Sequence, residues 1–347
     1  MAHPTIATIA EHLGLSRATV THVLNGRGDT QRIRPETQQR VQEAAQELGY
    51  RANASARAVR AGRFGSVALI QSLWGQYLPP ELLNGLVSAL GDQDLHLVLS
   101  QVHDPVLEDE TYLPHTLREL AVDGVLLNRH LGFSAAYLER IQKLCIPAIS
   151  LNVKQDFDAI HPDDLQGGQL ATEFLLQLGH EKIAFVDSDE SLNKHYSKQD
   201  RRHGYEQAMA VAGKPAHVHL IPKVWHHTHT DDERITSARG LLSGASRPTA
   251  IVAYELAEAM AVVHAAHQLG LKIPDDLSII LFHSRLDNRY FLPFHTISNQ
   301  MERVGRGAVE LLLGKIQNPK VLLPTRAIPA ALLEGMTCQP PARKNER

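Results

Sequence analysis

TIATIAEHLGLSRATVTHVLNG, residues 5–26, reads as two short helices joined by almost nothing. Thr5 carries the hydroxyl of an N-cap, Ile6, Ile9, Ala10 and Leu13 recur at helical spacing, and Gly14 is a stop. Only Gly14 and Leu15 stand before Ser16, a second capping residue, so the two helices must cross steeply. On the second helix Val20, Val23 and Leu24 share one side, while Arg17, Ala18, Thr21 and His22 share the other. That outward face is too short-armed for a solvated charge stripe and too polar for a core.

This is helix-turn-helix grammar, in which the second helix enters the DNA major groove with its amino-terminal residues leading. Arg17 is suited to a guanine edge or a phosphate and Ala18 to a thymine methyl, with Thr21 and His22 one turn on. Thr5, Ser16, Thr19 and Asn25 complete the candidate DNA contacts of these helices, and Asn25-Gly26 ends the second. Pro35, then Val41, Ala45 and Leu48 on one face, then Gly49 mark a third helix, after which Tyr50 is a further candidate. In the preceding loop, RGDTQRIR, Arg32 and Arg34 are candidate phosphate contacts.

Charge supports an anionic partner for this segment. Residues 1–65 hold nine Arg, no Lys and five Asp or Glu, a balance of +4, against −7 for the rest of a 347-residue chain whose overall value is −3. Arginine's planar fork bonds phosphate and guanine bidentately, which lysine does not.

YRANASARAVRAGRFG, residues 50–65, then offers a cap at Asn53 and about seven helix formers before its glycines, too few for a helix stable alone in water. At this point the chain resembles the LacI/GalR family of bacterial transcription regulators. Residues 5–26 match the family's helix-turn-helix, and RPETQQRVQEAAQELGYRANASARAV its third helix and hinge. The resemblance implies hinge helices of two subunits paired in the minor groove, driving an apolar wedge into a base step. The wedge position falls on Val59, flanked by Ala56 and Arg57. Two departures stand out: Ala52 where the family usually has Pro, and Val59 where it has Leu, so weaker bending is expected. The 27–34 loop is also about three residues longer than the family's common form.

From Ser66 onward short apolar runs alternate with helical periods: SVALIQS, PELLNGLVSALGD, HLVLSQV, YLPHTLRELAV, GVLLNR, AAYLERIQKL and PAISLN, then a second series from GGQLATEFLLQLG through KIAFVDS, HVHLIP and TAIVAYE to DLSIILF. The repetition predicts an α/β fold of two parallel, doubly wound sheets with a cleft between lobes. The resemblance implies the same, a type I periplasmic-binding-protein-like effector domain crossing three times between lobes, with MERVGRGAVELLLGKI returning to the first lobe. The expected divisions are 1–52 for the DNA-binding domain, 53–65 for the hinge, and 66–347 for the effector and dimerisation domain.

Ligands of open α/β sheets bind beyond the carboxyl ends of strands. That selects Ser72, Trp74, Asn152, Asp187, Glu255 and His283. The family's effector positions map onto Ser72, Asn152, Arg201, Glu255 and His283, while Trp74 and Trp225 either stack on a sugar ring or simply pack. Glu255-Leu256 stands where the family usually reads Asn-Asp, and Leu281-Phe282-His283 where it reads Gly-Phe-Asp. With those carboxylates replaced, Arg201 and His283 favour an acidic sugar or another anion over a neutral one.

Catalysis and metals find little support. His226, His227 and His229 beside Asp231 and Asp232 read as a solvated loop before a helix, and His180-Glu181 lacks the second histidine of a metalloprotease. No nucleophile elbow, phosphate loop or dinucleotide motif occurs, so neither an enzyme nor a cofactor is expected. Asn53-Ala54-Ser55 fits a glycosylation acceptor only on a secretory route, and the start MAHPTIATIAEHLG does not read as an export signal. Two cysteines, no membrane span and a C-terminal CQPPARKNER without leucine heptads point to a cytoplasmic, nucleoid-associated homodimer. The expected partners are a near-palindromic duplex operator and a carbohydrate-like effector. The competing reading is a periplasmic-type solute-binding protein without DNA function.

Overall fold

In this computed structural model the described residues are 4–50, 63–72, 78–107, 109, 111–113, 122–128, 133–188, 195–222, 231–283 and 293–342. The chain divides into two compact units, Met1–Phe64 and Gly65–Arg347.

The first unit contains α1 (Ile6–Leu13), α2 (Arg17–Leu24) and α3 (Pro35–Glu47). The caps are those the sequence predicts. Thr5 and Thr8 cap reciprocally, each hydroxyl accepting from the other's backbone nitrogen at 3.2 and 3.1 Å. Gly14, at φ 65°, takes the left-handed step that turns the chain, and the Ser16 hydroxyl accepts from the Thr19 nitrogen at 3.0 Å. At the end of α2 the left-handed residue is Gly26, at φ 69°, whereas Asn25 stays at φ −96°. Ile9, Ala10, Val20, Val23, Val41, Ala44 and Ala45 form the core, with Tyr50 packed at its margin.

The second unit holds two six-stranded sheets. The first lobe's sheet runs in the order β11 (Arg326–Ile328), β5 (Ala159–Pro162), β4 (Ala148–Leu151), β3 (Gly124–Asn128), β1 (Ser66–Ser72), β2 (His96–Val102). The second lobe's runs β12 (Ala331–Leu333), β10 (His295–Ser298), β9 (Ser278–Phe282), β8 (Ala250–Ala253), β6 (Ile183–Ser188), β7 (His217–Ile221). Every pairing is parallel except β10 with β12. The apolar runs become central strands because helices cover both faces, as the fully buried β3, β4, β6, β8 and β9 require, apart from half-buried Asn128 at the end of β3.

The first lobe carries α4 (Pro80–Gly91), α5 (Asp104–Leu107) and α6 (Ala135–Lys143); the second carries α7 (Asp164–Gln177), α8 (Tyr196–Val211), α9 (Asp231–Leu242) and α10 (Leu256–Gln268). The last helix, α11 (Met301–Gln317), returns to the first lobe, where Met301, Val304, Ala308 and Leu312 join Val67 and Leu69 in one core. The chain therefore crosses between lobes three times: from β5 to α7, from β10 to α11, and from β11 to β12. Four strands, β5, β10, β11 and β12, are absent from the apolar runs of the sequence. Residues 114–121 of the expected YLPHTLRELAV helix lie outside the described residues.

Candidate functional site

Two sites emerge, one in each unit. In the first, the cap at Ser16 starts α2 immediately after the turn, and Arg17 and Ala18 are both exposed at its leading end. Thr19, Thr21 and His22 are half-buried and Asn25 is exposed. The Thr21 hydroxyl donates back to the Arg17 carbonyl at 2.7 Å, so only its oxygen lone pairs remain for a further partner. Arg32 and Arg34 are exposed on a loop that is itself well fixed. The Ile33 nitrogen donates to the Gly28 carbonyl at 2.9 Å, and the Gln38 amide donates to Asp29 Oδ1 at 2.9 Å and the Ile33 carbonyl at 2.8 Å. A β-carbon at Gly28 would stand 2.2 Å from Gln38 Oε1, so a side chain there displaces the Gln38 amide that ties the loop together. Of the hinge candidates, Ala52, Asn53, Ala56, Arg57 and Val59 lie outside the described residues.

In the second unit the candidates cluster at the carboxyl ends of the strands. Ser72 ends β1, buried; Asn152 follows β4 in the left-handed region at φ 55°; Glu255 is exposed at the capping position of α10; His283 follows β9, half-buried. Trp74 and Trp225 lie outside the described residues, as do His226, His227 and His229. Among the described residues no group of three or more His, Cys, Asp or Glu is placed to hold a metal.

Arg201 is buried, and its guanidinium is held in a way the sequence did not reveal. Its Nε donates to Asp164 Oδ1 at 2.7 Å, its Nη1 to the Tyr254 carbonyl at 2.9 Å, and its plane lies over the rings of Phe282 and Tyr254 at 4.3 and 4.7 Å. Burial is the largest single influence and opposes the charge, but Asp164, joined by Tyr254 and Glu255, outweighs it and keeps Arg201 protonated. Asp164 also retains a buried oxygen, Oδ2, without a hydrogen-bond partner among the described residues. Beside this pair Lys198 donates to Asp187 Oδ1 at 2.5 Å and to the Ser188 carbonyl at 3.0 Å, with the Lys198–Asp187 pair almost wholly buried. The expectation of an anionic effector rested on Arg201 and His283. Asp164 already matches the charge of Arg201, which takes that cation out of the argument.

A chain of polar contacts links this wall to the first lobe. His195 Nε2 lies 2.9 Å from the Asn152 carbonyl, which can only accept, so Nε2 carries the proton. Its Nδ1 then accepts from the Ser197 hydroxyl at 2.8 Å, and Ser197 in turn accepts from the Tyr254 hydroxyl at 2.8 Å. Tyr196, next along α8, donates to Asn152 Oδ1 at 3.2 Å and meets His161 of β5 edge-on at 5.4 Å, while Lys154 pairs with Asp200. Tyr254, Ser197 and His195 thus join Arg201's surroundings to Asn152. None of these three was singled out from the sequence, nor was Asp164 or Lys198. The signal available for Tyr254 was its place immediately after a strand.

The chain matches bacterial regulatory proteins of the lacI family over residues 5–53, and a periplasmic binding protein-like domain over residues 172–338. It is 30% identical over 310 residues to the HTH-type transcriptional regulator DegA of Bacillus subtilis, spanning 87% of this chain and 88% of that one. It is 28% identical over 323 residues to the HTH-type transcriptional repressor PurR of Vibrio vulnificus, spanning 90% and 92%. The crystal structure of the Lac repressor dimer bound to operator and the anti-inducer ONPF shares the fold, with a TM-score of 0.78 at 22% identity over 97% of this chain and 100% of that one. A solute-binding protein without DNA function has no use for the capped helix pair of residues 5–26, and these matches favour the regulator over it.

Proposed function

The chain belongs to the lacI family of bacterial regulatory proteins, and from that premise we propose that this DNA-binding transcriptional regulator is a repressor acting as a homodimer on a near-palindromic operator. Its α2 helices enter successive major grooves, with Arg17 and Ala18 leading and Thr19, Thr21 and His22 following. Thr5, Arg32, Arg34 and Tyr50 position the unit on phosphates, Ser16 orders the reading helix through its cap, and the hinges around Asn53, Ala56, Arg57 and Val59 pair in the minor groove between them. The observation that carries this reading is the exposure of Arg17 and Ala18 at the start of a side-chain-capped helix whose other face is sealed by Val20 and Val23.

A small carbohydrate-like effector binds between the lobes of the second unit, near Ser72, Asn152, Arg201, Glu255 and His283, with Trp74 and Trp225 as stacking faces. Closure of the lobes changes how the hinge starts are held, and a helix too short to fold alone turns that shift into a change of DNA affinity. The Tyr254–Ser197–His195–Asn152 chain supports such coupling, since it joins Arg201's neighbour in one lobe to the other lobe. Selection from random duplexes at moderate ionic strength, with and without a panel of sugars, tests the reading. It predicts a near-palindromic consensus whose recovery a sugar alters, and failure to enrich any duplex refutes it.

A further inference from the structure

Arg234 in the first turn of α9 and Glu258 in the first turn of α10 face each other with their hydrogen-bonding capacity incompletely used. Arg234 Nη2 stands 3.5 Å from Glu258 Oε1, beyond a good hydrogen bond, and the side chains are only 13% and 6% exposed. Arg234 Nε and Glu258 Oε2 are both buried and have no hydrogen-bond partner among the described residues. A buried donor and a buried acceptor left open side by side are uncommon, because each has lost water and gained nothing.

We propose that Arg234 and Glu258 form a hydroxyl-binding subsite in the wall of the effector cleft, occupied by one hydroxyl of a neutral, polyhydroxylated effector. The proposal rests on the reading of the second unit as effector-binding. A hydroxyl accepts from Arg234 Nε–H while donating to Glu258 Oε2, so one group satisfies both. An ammonium would meet the Arg234 charge, and a carboxylate or phosphate would meet that of Glu258, on which Glu255 and, more weakly, Asp187 also act. Those neighbours also locate the pair: Asp187 lies near the carboxyl end of β6 and Glu255 caps α10 just beyond β8, the edge where such sheets hold ligands. Along this wall Arg201 is matched by Asp164 and Lys198 by Asp187, leaving hydrogen-bond capacity rather than charge to recognise a ligand. Burial, with Glu255 adding to it, pushes the Glu258 carboxyl up to about 7, and a hydroxyl serves the protonated form as well as the ionised one.

The test is isothermal titration of the full chain at pH 7 with ribose, galactose, cellobiose and maltose as neutral probes, galacturonate and glucose 6-phosphate as anions, and glucosamine as a cation. Wild type should bind a neutral sugar more tightly than any charged one. The double variant Arg234→Met/Glu258→Leu, folded by circular dichroism, should bind that sugar about tenfold or more weakly. Glu258→Gln, which keeps the side chain's shape, is read against the monodeoxy forms of the same sugar. One deoxy position should weaken wild type about tenfold and be indifferent to the substitution. Unchanged affinity in the double variant, meaning that ordered water alone fills the subsite, or a preference for a charged sugar, overturns the proposal. If Arg201→Ala abolishes binding while the double variant does not, only the subsite falls. If wild type binds none of the probes, the effector reading falls with it.

Discussion

Gly204 of α8 lies against the backbone of α7 at Leu165, so close that a β-carbon on Gly204 would stand 2.1 Å from the Leu165 carbonyl oxygen. Gly168 makes the reciprocal approach, its virtual β-carbon 2.2 Å from the Arg201 carbonyl oxygen. The closeness is functional in its effect, because Asp164 opens α7 just before Leu165 and Arg201 sits one turn before Gly204. Two glycines thereby set the 2.7 Å bond between Asp164 and Arg201.

Gly204→Ala therefore separates the helices. In an unconstrained helix interior alanine is favoured over glycine by ~1 kcal/mol, so any loss must come from the contact. Overpacking of ~1–3 kcal/mol is expected, together with weakened binding of sugar, read by thermal denaturation and titration. A variant more stable than wild type would refute the account.

Ser16→Ala removes the side-chain cap of the helix that carries Arg17. The expected cost is ~1 kcal/mol, whereas Ser16→Gly costs only a few tenths. If α2 must be formed to bind, operator affinity by fluorescence anisotropy falls about fivefold for alanine and stays near wild type for glycine. Equal losses would mean that the hydroxyl contacts DNA instead of ordering the helix.

Arg32 and Arg34 test the lengthened loop. Each phosphate contact contributes about 0.9 to the slope of log affinity against log salt on duplex DNA. Arg32→Ala and Arg34→Ala should each lower that slope by about this amount without altering base preference, while Arg17→Ala should change preference at one position or lower the slope. Slopes equal to wild type for both loop variants would remove the loop from the interface.

What was legible in the sequence was local or strongly periodic. The capped helices of residues 5–26 are built from neighbours, and the apolar runs become strands because burial on both faces demands apolar residues throughout. β5 and β10 escaped because they read AIHP and HTIS. In β10 the His295 ring is buried through partners distant in the chain, accepting from the Thr337 and Cys338 nitrogens. Arg201 was legible as a site residue and Asp164 was not, since 37 positions separate them and only the glycine-tight crossing unites them. Gly167-Gly168 and Gly204 within helical periods were the available sign of that crossing.

The second lobe should also lose stability in mild acid. His180, His219 and His295 are all held below their ordinary pKa, in each case chiefly by burial, with His217 adding to the effect at His219. At His295 the geometry gives the reason directly, because Nδ1 accepts from two backbone nitrogens, at 3.2 and 3.1 Å, and a proton there would face both donors. The folded state thus takes up fewer protons than the unfolded chain. The stability these rings contribute is present above the unfolded pKa of ~6.5 and is lost as pH falls from there through the folded values. Each group adds at most ~1.4 kcal/mol per pH unit to that slope. Glu258 runs the other way: its carboxyl is raised to about 7, so its contribution is present at low pH and lost as pH rises through that value. Thermal midpoints measured from pH 7.5 to 5.0 should fall, and His295→Asn, whose side-chain oxygen can accept in place of Nδ1, should flatten the fall. A midpoint that rises on acidification would show that Glu258 outweighs the three histidines.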